Sequence, residues 1–184
     1  DGSKQKNIWA KEATQTSPFK LRDTLEQLEY LISKEKIDPS FQELANQYRE
    51  VLGEILRAGK INTPCTLTPD QLEKLGSSNN RVVHFVEADS HRGNTVNGDL
   101  DFQQIEQSYL SSSTSVTTLD NFLTPTSLKQ LQEFCLESTI YFGFTENHFV
   151  DSKLSDGFNC ALIYQIAEEV MQSFPQILGS HHPC

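Results

Sequence analysis

The stretch that decides the fold runs from residue 17 to residue 59 and reads SPFKLRDTLEQLEYLISKEKIDPSFQELANQYREVLGEILRAG. Ser17-Pro18 is typical of a helix start, with serine as the N-cap and proline at the first helical position, and Asp38-Pro39 repeats this signal. Apolar residues then recur at helical spacing at positions 21, 25, 28, 31 and 32, and at positions 41, 44, 45, 48, 51, 52, 55 and 56. The second stripe ends at Gly59. Two amphipathic helices with a short link predict an antiparallel hairpin over residues 17–60.

Composition limits the class of protein. The chain has 184 residues and a mass of 20.8 kDa, which is room for one ordinary domain or two small ones. Hydrophobic residues make up 36%, and no apolar run approaches the roughly 18 residues of a membrane span. The net charge is −10 and lies entirely in residues 61–184. Because phosphate contacts need clustered Lys and Arg, we expect no nucleic-acid partner. Because no apolar run is long enough, we also expect no membrane span.

The middle of the chain alternates helix and strand signals. Residues 1–16 are polar and predict an extended arm. Thr68-Pro69-Asp70-Gln71 resembles a capping box and starts a short helix that Gly76 closes. Residues 81–86 (RVVHFV) are β-branched and aromatic and predict a strand. Residues 88–100 are rich in turn formers, which indicates a loop before a helix capped by Asp101.

The last third continues the mixed pattern. Residues 111–118 are almost entirely Ser and Thr, which suits a linker, although residues 116–119 are also consistent with a short strand. Thr124-Pro125 starts another helix, and residues 140–144 indicate a strand or extended segment. A final helix is expected to begin near Phe158 and to end before Pro175. The prediction is an α+β fold, mostly helical, with the hairpin followed by a mixed region over residues 61–184.

Cysteine usage indicates a reducing compartment, either the cytoplasm or the interior of an organelle. The four cysteines, Cys65, Cys135, Cys160 and Cys184, are far apart and form no Cys-x-x-Cys pair. A structural zinc site normally uses paired spacings, so we expect free thiols. The chain starts at Asp1. This start suggests either a removed leader or a fragment.

The histidines do not have the spacing of an iron site. A facial iron triad needs His-x-Asp/Glu, and the chain contains none. His84 and His148 each precede a carboxylate by three residues, which puts the two side chains on opposite faces of a strand. We therefore interpret His84, His91 and His148 as making ordinary hydrogen bonds. His181 and His182, next to Cys184, lack the four spaced ligands of structural zinc.

Other residues that could carry chemistry have simpler interpretations. The carboxylate pairs Glu168-Glu169 and Asp99/Asp101 are expected to be solvated acidic faces and helix caps. The chain has no Gly-x-Ser-x-Gly elbow, phosphate loop or dinucleotide fingerprint. We therefore name no catalytic, cofactor-binding or metal-binding residue. The apolar stripes at residues 41–56 and 158–174 suit core faces, and partner grooves remain the alternative.

From residue 79 to residue 182, short segments follow one another in a familiar order. They are residues 80–84 (NRVVH), 101–109 (DFQQIEQSY), 119–124 (LDNFLT), 131–139 (LQEFCLEST), 155–158 (SDGF), 165–169 (QIAEE) and 174–179 (FPQILG). Together they resemble a bacterial family of iron(II)/2-oxoglutarate oxygenase-like proteins, some fused to tetratricopeptide arrays. The helix pair at residues 20–58 is similar to the leading region of that family. The resemblance implies iron(II) and 2-oxoglutarate as cofactors of a full-length parent.

One departure from the family determines what the resemblance implies for function. In the family, the iron-binding His-x-Asp follows the Leu-Gly-x-His segment, whereas this chain ends at Cys184. The resemblance thus covers the supporting front part and supplies no metal ligand. It also supplies no basic residue for 2-oxoglutarate, since the basic residues after position 60, namely Lys74, Arg81, Arg92, Lys129 and Lys153, lack a supporting motif.

Two hypotheses follow from this departure. The chain is either the front portion of an oxygenase-like enzyme or a complete, non-catalytic accessory subunit of a larger assembly. In both, this chain alone is not catalytic. An unfinished barrel must cover its open edge, so we expect a protein partner.

Overall fold

A computed structural model describes residues 14–61, 63–114, 116–145 and 149–178, and places them in two compact units. The first unit comprises residues 1–85 and 136–158, and the second comprises residues 86–135 and 159–184. The structure is 51% helical, and its described residues form six α-helices and two small antiparallel sheets of two strands each. This confirms the predicted α+β, mostly helical fold.

The first unit is built on the predicted helical pair, α1 (Pro18–Ser33) and α2 (Phe41–Arg57). Ser17 caps α1, because its Oγ accepts a hydrogen bond from the backbone N–H of Lys20 at 3.1 Å. The Asp38-Pro39 signal lies slightly before α2, whose N-cap position is Ser40. The two helices pack through one buried apolar face that includes residues 21, 25, 28, 45, 48, 51, 52 and 55. Burial of this face from water is the main stabilisation of the unit.

A short helix and a small sheet extend this core. Helix α3 (Pro69–Leu75) starts with the predicted capping box, in which Thr68 and Gln71 each accept from the other's backbone N–H. Strands β1 (Gln15–Thr16) and β2 (Cys65–Thr66) pair antiparallel. Of the extended arm predicted over residues 1–16, residues 1–13 lie outside the described residues. Cys65, Leu67 and Leu75 join the apolar core of the helix pair.

The strand predicted over residues 81–86 is not formed. Here the side chain of Thr139 replaces a neighbouring strand: its Oγ1 accepts from the backbone N–H groups of Val83 and His84, at 2.7 and 3.0 Å. The backbone N–H of Thr139 donates to the His84 carbonyl at 2.9 Å. Because one hydroxyl satisfies these backbone groups, the β-branched segment needs no ladder partner.

The remainder of the first unit contains strands β3 (Gly143–Phe144) and β4 (Val150–Asp151), which pair antiparallel. The strand or extended segment expected over residues 140–144 is therefore a strand only at its last two residues. Ile140 is fully buried. Gly157 follows a short 3₁₀ turn (Leu154–Asp156) and has a φ of 114°. This conformation favours glycine, and a Cβ there would lie 3.0 Å from Cγ2 of Ile140.

The second unit contains α4 (Phe102–Ser111), α5 (Pro125–Glu137, whose last two residues belong to the first unit) and α6 (Ala161–Ser173). The predicted cap at Asp101 is confirmed by a 3.0 Å bond from the backbone N–H of Gln104. Helix α6 begins three residues later than predicted. Residues 116–119 form no strand, and a single β-bridge joins Val96 to Leu123.

The apolar interior of the second unit is small. Its buried hydrophobic residues are Ala88, Val96, Phe134, Cys160, Leu162 and Phe174. Of the predicted stripe on the last helix, positions 163, 166 and 170 are only half-buried. Within the described part of the chain, every helix is too short or too polar to cross a membrane.

Candidate functional site

The second unit contains an open cleft of about 510 Å³ between α4, α6 and the loops beside them. Its wall, as far as the described residues form it, carries two carboxylates, Glu106 from α4 and Glu169 from α6, and no Lys, Arg or His. The other lining residues are Asn94, Val96, Gly98, Phe102, Gln103, Gln172, Ser173, Pro175 and Gln176. The cleft is therefore acidic and rich in amide side chains.

Glu169 holds one loop of this cleft in place. Its Oε2 accepts from the backbone N–H groups of Thr95 and Val96, at 2.7 and 2.8 Å, and its Oε1 accepts from Thr95 at 3.0 Å. Burial alone raises the pKa of Glu169. The hydrogen bonds donated by Val96, Thr95 and Gln165 outweigh that effect and hold the pKa below its ordinary value. Glu169 is consequently an anion whose two oxygens are both engaged.

Gln165, one turn before Glu169 on α6, secures the start of the same loop. Its Oε1 accepts from the backbone N–H of His91 at 2.6 Å, and its Nε2 donates to the Gly93 carbonyl at 2.9 Å. Nε2 also donates to Oε1 of Glu169 at 2.9 Å. Two side chains four residues apart thus clamp residues 91–96 onto one helix face.

Glu106 holds the segment that follows α6. Its residue is only 3% exposed, and its Oε1 accepts from the backbone N–H groups of Gln176 and Ile177, at 2.7 and 3.2 Å. Oε2 has no hydrogen-bond partner among the described residues, and Glu106 makes no ion pair there. The cleft therefore offers one carboxylate oxygen that the rest of the described chain does not use.

The positions of Glu169 and Glu106 in the cleft differ from what the sequence indicates. The interpretation of Glu169 as a solvated acidic residue is wrong, whereas Glu168 is exposed as expected. Glu106 was not singled out. The sequence does contain an indication of its position. Glu106 lies four residues after Phe102 and therefore shares the apolar face of α4.

Two histidines belong to the described residues, His84 and His91, and both lie in loops, although the sequence predicted a strand at His84. In the first unit, Nδ1 of His84 lies 2.9 Å from the carbonyl oxygen of Glu137. In the second unit, His91 is held through its backbone, and its Nε2 is buried without a partner among the described residues. The predictions for His148, His181 and His182 lie outside the described residues.

The remaining candidates have structural partners or lie on the surface. Lys74 bonds both Glu50 and Glu54 at 2.6 Å, while Arg81, Arg92, Lys129 and Lys153 are exposed. Cys65, Cys135 and Cys160 form no disulfide with one another, and Cys184 lies outside the described residues. In the part of the chain that the structure describes, no three His, Cys, Asp or Glu side chains converge as a metal-binding group.

A buried lysine lies in the first unit. Lys20 is 8% exposed and its Nζ donates to Oγ1 of Thr24 at 2.9 Å. Burial lowers the pKa of Lys20 to about 8, although the nearby Asp23 carboxylate acts in the opposite direction. It borders a cavity of about 20 Å³, which is room for about one water molecule.

No known protein family, curated protein or solved structure matches this chain.

Proposed function

We propose that this chain is a non-catalytic, accessory member of the iron(II)/2-oxoglutarate oxygenase-like family and acts within a larger protein assembly. The family part of the proposal is supported by the ordered series of segments between residues 80 and 179. Under this proposal, iron(II) and 2-oxoglutarate belong to a full-length parent enzyme and not to this chain.

One observation carries the accessory role: buried and half-buried polar side chains hold the backbone in place. Glu106 and Glu169 accept from backbone N–H groups of distant loops, and the ring of His84 contacts a backbone carbonyl. The donors to Glu169 hold its pKa below the ordinary value, which makes this carboxylate a weak proton acceptor near neutral pH. Such side chains suit a shaped binding module better than an acid–base site.

Charge supports a basic partner. The second unit contains nine Asp and Glu but only two Lys and Arg, a net charge of −7. The electrostatic field of a negatively charged unit accelerates its encounter with a positively charged protein surface. This effect weakens as salt is added. We therefore propose that the partner presents Lys and Arg to the second unit.

Two measurements test the proposal. The purified 184-residue chain, supplied with iron(II) and 2-oxoglutarate, should form no succinate above a control without protein. Succinate formation that requires both additions would refute the non-catalytic role. The tagged protein, extracted gently from its source cells, should show by light scattering a mass well above that of its own polypeptide. A mass equal to the single polypeptide would refute membership of an assembly.

A further inference from the structure

We propose that the cleft of the second unit binds a small organic amine in its protonated form, and that Glu106 Oε2 accepts a hydrogen bond from the ammonium group. This inference does not depend on the proposed function, because it concerns only the lining of the cleft.

The charge of the cleft selects a cation. Among the described residues, its wall contains Glu106 and Glu169 and no basic side chain, and the surrounding unit has a net charge of −7. An anionic ligand would meet both carboxylates without a compensating charge. A neutral ligand would not compensate the charge of the Glu106 carboxylate, which has no ion-pair partner among the described residues.

Hydrogen bonding identifies the contact atom. Both oxygens of Glu169 already accept bonds, from Thr95, Val96 and Gln165. Glu106 uses only Oε1, so Oε2 remains the free acceptor among the described residues, on a residue that is only 3% exposed. A charge-assisted bond to such an oxygen is roughly twice as strong as a bond between neutral groups.

A metal ion fits this arrangement less well than an ammonium group. Calcium takes about six to eight oxygen ligands, and magnesium requires a near-ideal octahedron. The cleft offers one free carboxylate oxygen, because the second carboxylate is occupied by backbone N–H groups. An ammonium group has three donors and is satisfied by one carboxylate oxygen together with amide carbonyls.

The remaining lining suits the body of an organic ligand. The cleft volume of about 510 Å³ lies within the range of small-molecule sites, about 300–1,000 Å³. The side chains of Asn94, Gln103 and Gln172 supply amide carbonyl and N–H groups along the wall. Phe102 and Pro175 supply apolar surface for a carbon chain, and the electron-rich face of a phenyl ring attracts cations.

Isothermal titration with putrescine, a linear diamine, tests the inference, with butanediol as the uncharged ligand of the same length. The wild-type chain should bind putrescine with a dissociation constant of about 1 mM or lower at low salt, and should bind butanediol undetectably. Glu106→Gln keeps an oxygen for the backbone N–H groups but removes the charge, and should weaken binding about tenfold or more. Glu168→Gln, the matched change at an exposed position on α6, should leave binding within about twofold.

Three results would overturn the inference. These are no putrescine binding by the wild-type chain, equal weakening by Glu106→Gln and Glu168→Gln, or equal binding of putrescine and butanediol. A second measurement covers the case in which Glu106→Gln fails to fold. In a proton–nitrogen correlation spectrum of the wild-type chain, putrescine should shift the amide signals of Gln176 and Ile177, which donate to Glu106. Unchanged signals at both amides would also overturn the proposed contact.

Discussion

Glu106 accepts a hydrogen bond from the backbone N–H of Gln176 at 2.7 Å, although 70 residues separate them in the chain. A side chain in the middle of one helix therefore positions the segment that follows another helix. The same unit repeats this device, since Glu169 holds residues 95 and 96 from 74 and 73 residues away. Carboxylates, as well as apolar contacts, thus determine how the loops around the cleft are placed.

We expect Glu106→Ala to destabilise the second unit by about 1–3 kcal/mol, because the backbone N–H groups of Gln176 and Ile177 lose their acceptor. Glu106→Gln should cost less, since its amide oxygen still accepts these bonds. Urea unfolding measures both changes in free energy. Glu168→Ala is the control and should change stability by no more than about 0.5 kcal/mol. Equal losses for Glu106→Ala and Glu168→Ala would mean that the Glu106 bonds contribute nothing.

Glu169 should make stability depend on acid pH. Its pKa in the folded protein lies below the ordinary value of 4.5, so the folded state binds fewer protons than the unfolded state. The stability from this carboxylate is therefore fully present above pH 4.5 and is lost as the pH falls through the lower folded pKa. Urea unfolding across that range should show a smaller decrease for Glu169→Gln than for wild type. Identical pH profiles would contradict the prediction.

Lys20 should make stability depend on alkaline pH. Its pKa is about 8 in the folded protein against 10.5 in the unfolded chain, so the unfolded state binds more protons between these values. The free energy of unfolding should thus rise with pH across this window. Lys20→Met removes the buried charge and should stabilise the protein at pH 7 by up to about 3 kcal/mol.

The advantage of Lys20→Met should shrink as the pH rises from 8 to 10.5, which thermal or urea unfolding at several pH values would reveal. Lys129→Met, at a position whose side chain is 77% exposed, serves as the control and should show no such trend. A Lys20→Met variant that is less stable than wild type at pH 7 would show that the ammonium group contributes favourable contacts outweighing its burial.

The buried face of the helix pair should be sensitive to truncation. Leu28 is fully buried, so Leu28→Ala should cost about 2–5 kcal/mol in unfolding free energy. Leu44 lies in the middle of the predicted stripe but is only half-buried, and Leu44→Ala should cost less. Glu26→Ala, at an exposed position of the same helix as Leu28, should be nearly neutral. Equal small losses at Leu28 and Glu26 would indicate that this face is not a core.

All four cysteines should be free thiols, as their spacing predicts. Alkylation under denaturing, non-reducing conditions should therefore label four sites, and labelling of two or fewer that reductant restores would contradict this. Under native conditions we expect Cys65 to react slowly, because burial raises the pKa of its thiol and shields it. Cys135 is less buried and should react before Cys65, as mass spectrometry of partially labelled protein would show.

Local signals were sufficient for most helices. Ser17, Thr68 and Asp101 each accept from a backbone N–H three residues later, so the cap and its partner lie within one short stretch of sequence. The apolar periodicity of residues 21–56 likewise identified the faces that α1 and α2 bury. These features follow from neighbours in the chain, and the sequence alone therefore determined the mostly helical α+β class.

Long-range contacts decided what local patterns could not. The segment at residues 83–84 has the composition of a strand, yet Thr139 satisfies its backbone groups from 55 and 56 residues away. From its sequence context Glu169 resembles a surface acid, but in the structure the backbone N–H groups of residues 95 and 96 donate hydrogen bonds to it. Glu106 became a feature of a cleft only because residues 176 and 177 fold back onto α4. A buried polar group needs a partner, and only the tertiary structure determines which distant part of the chain supplies it.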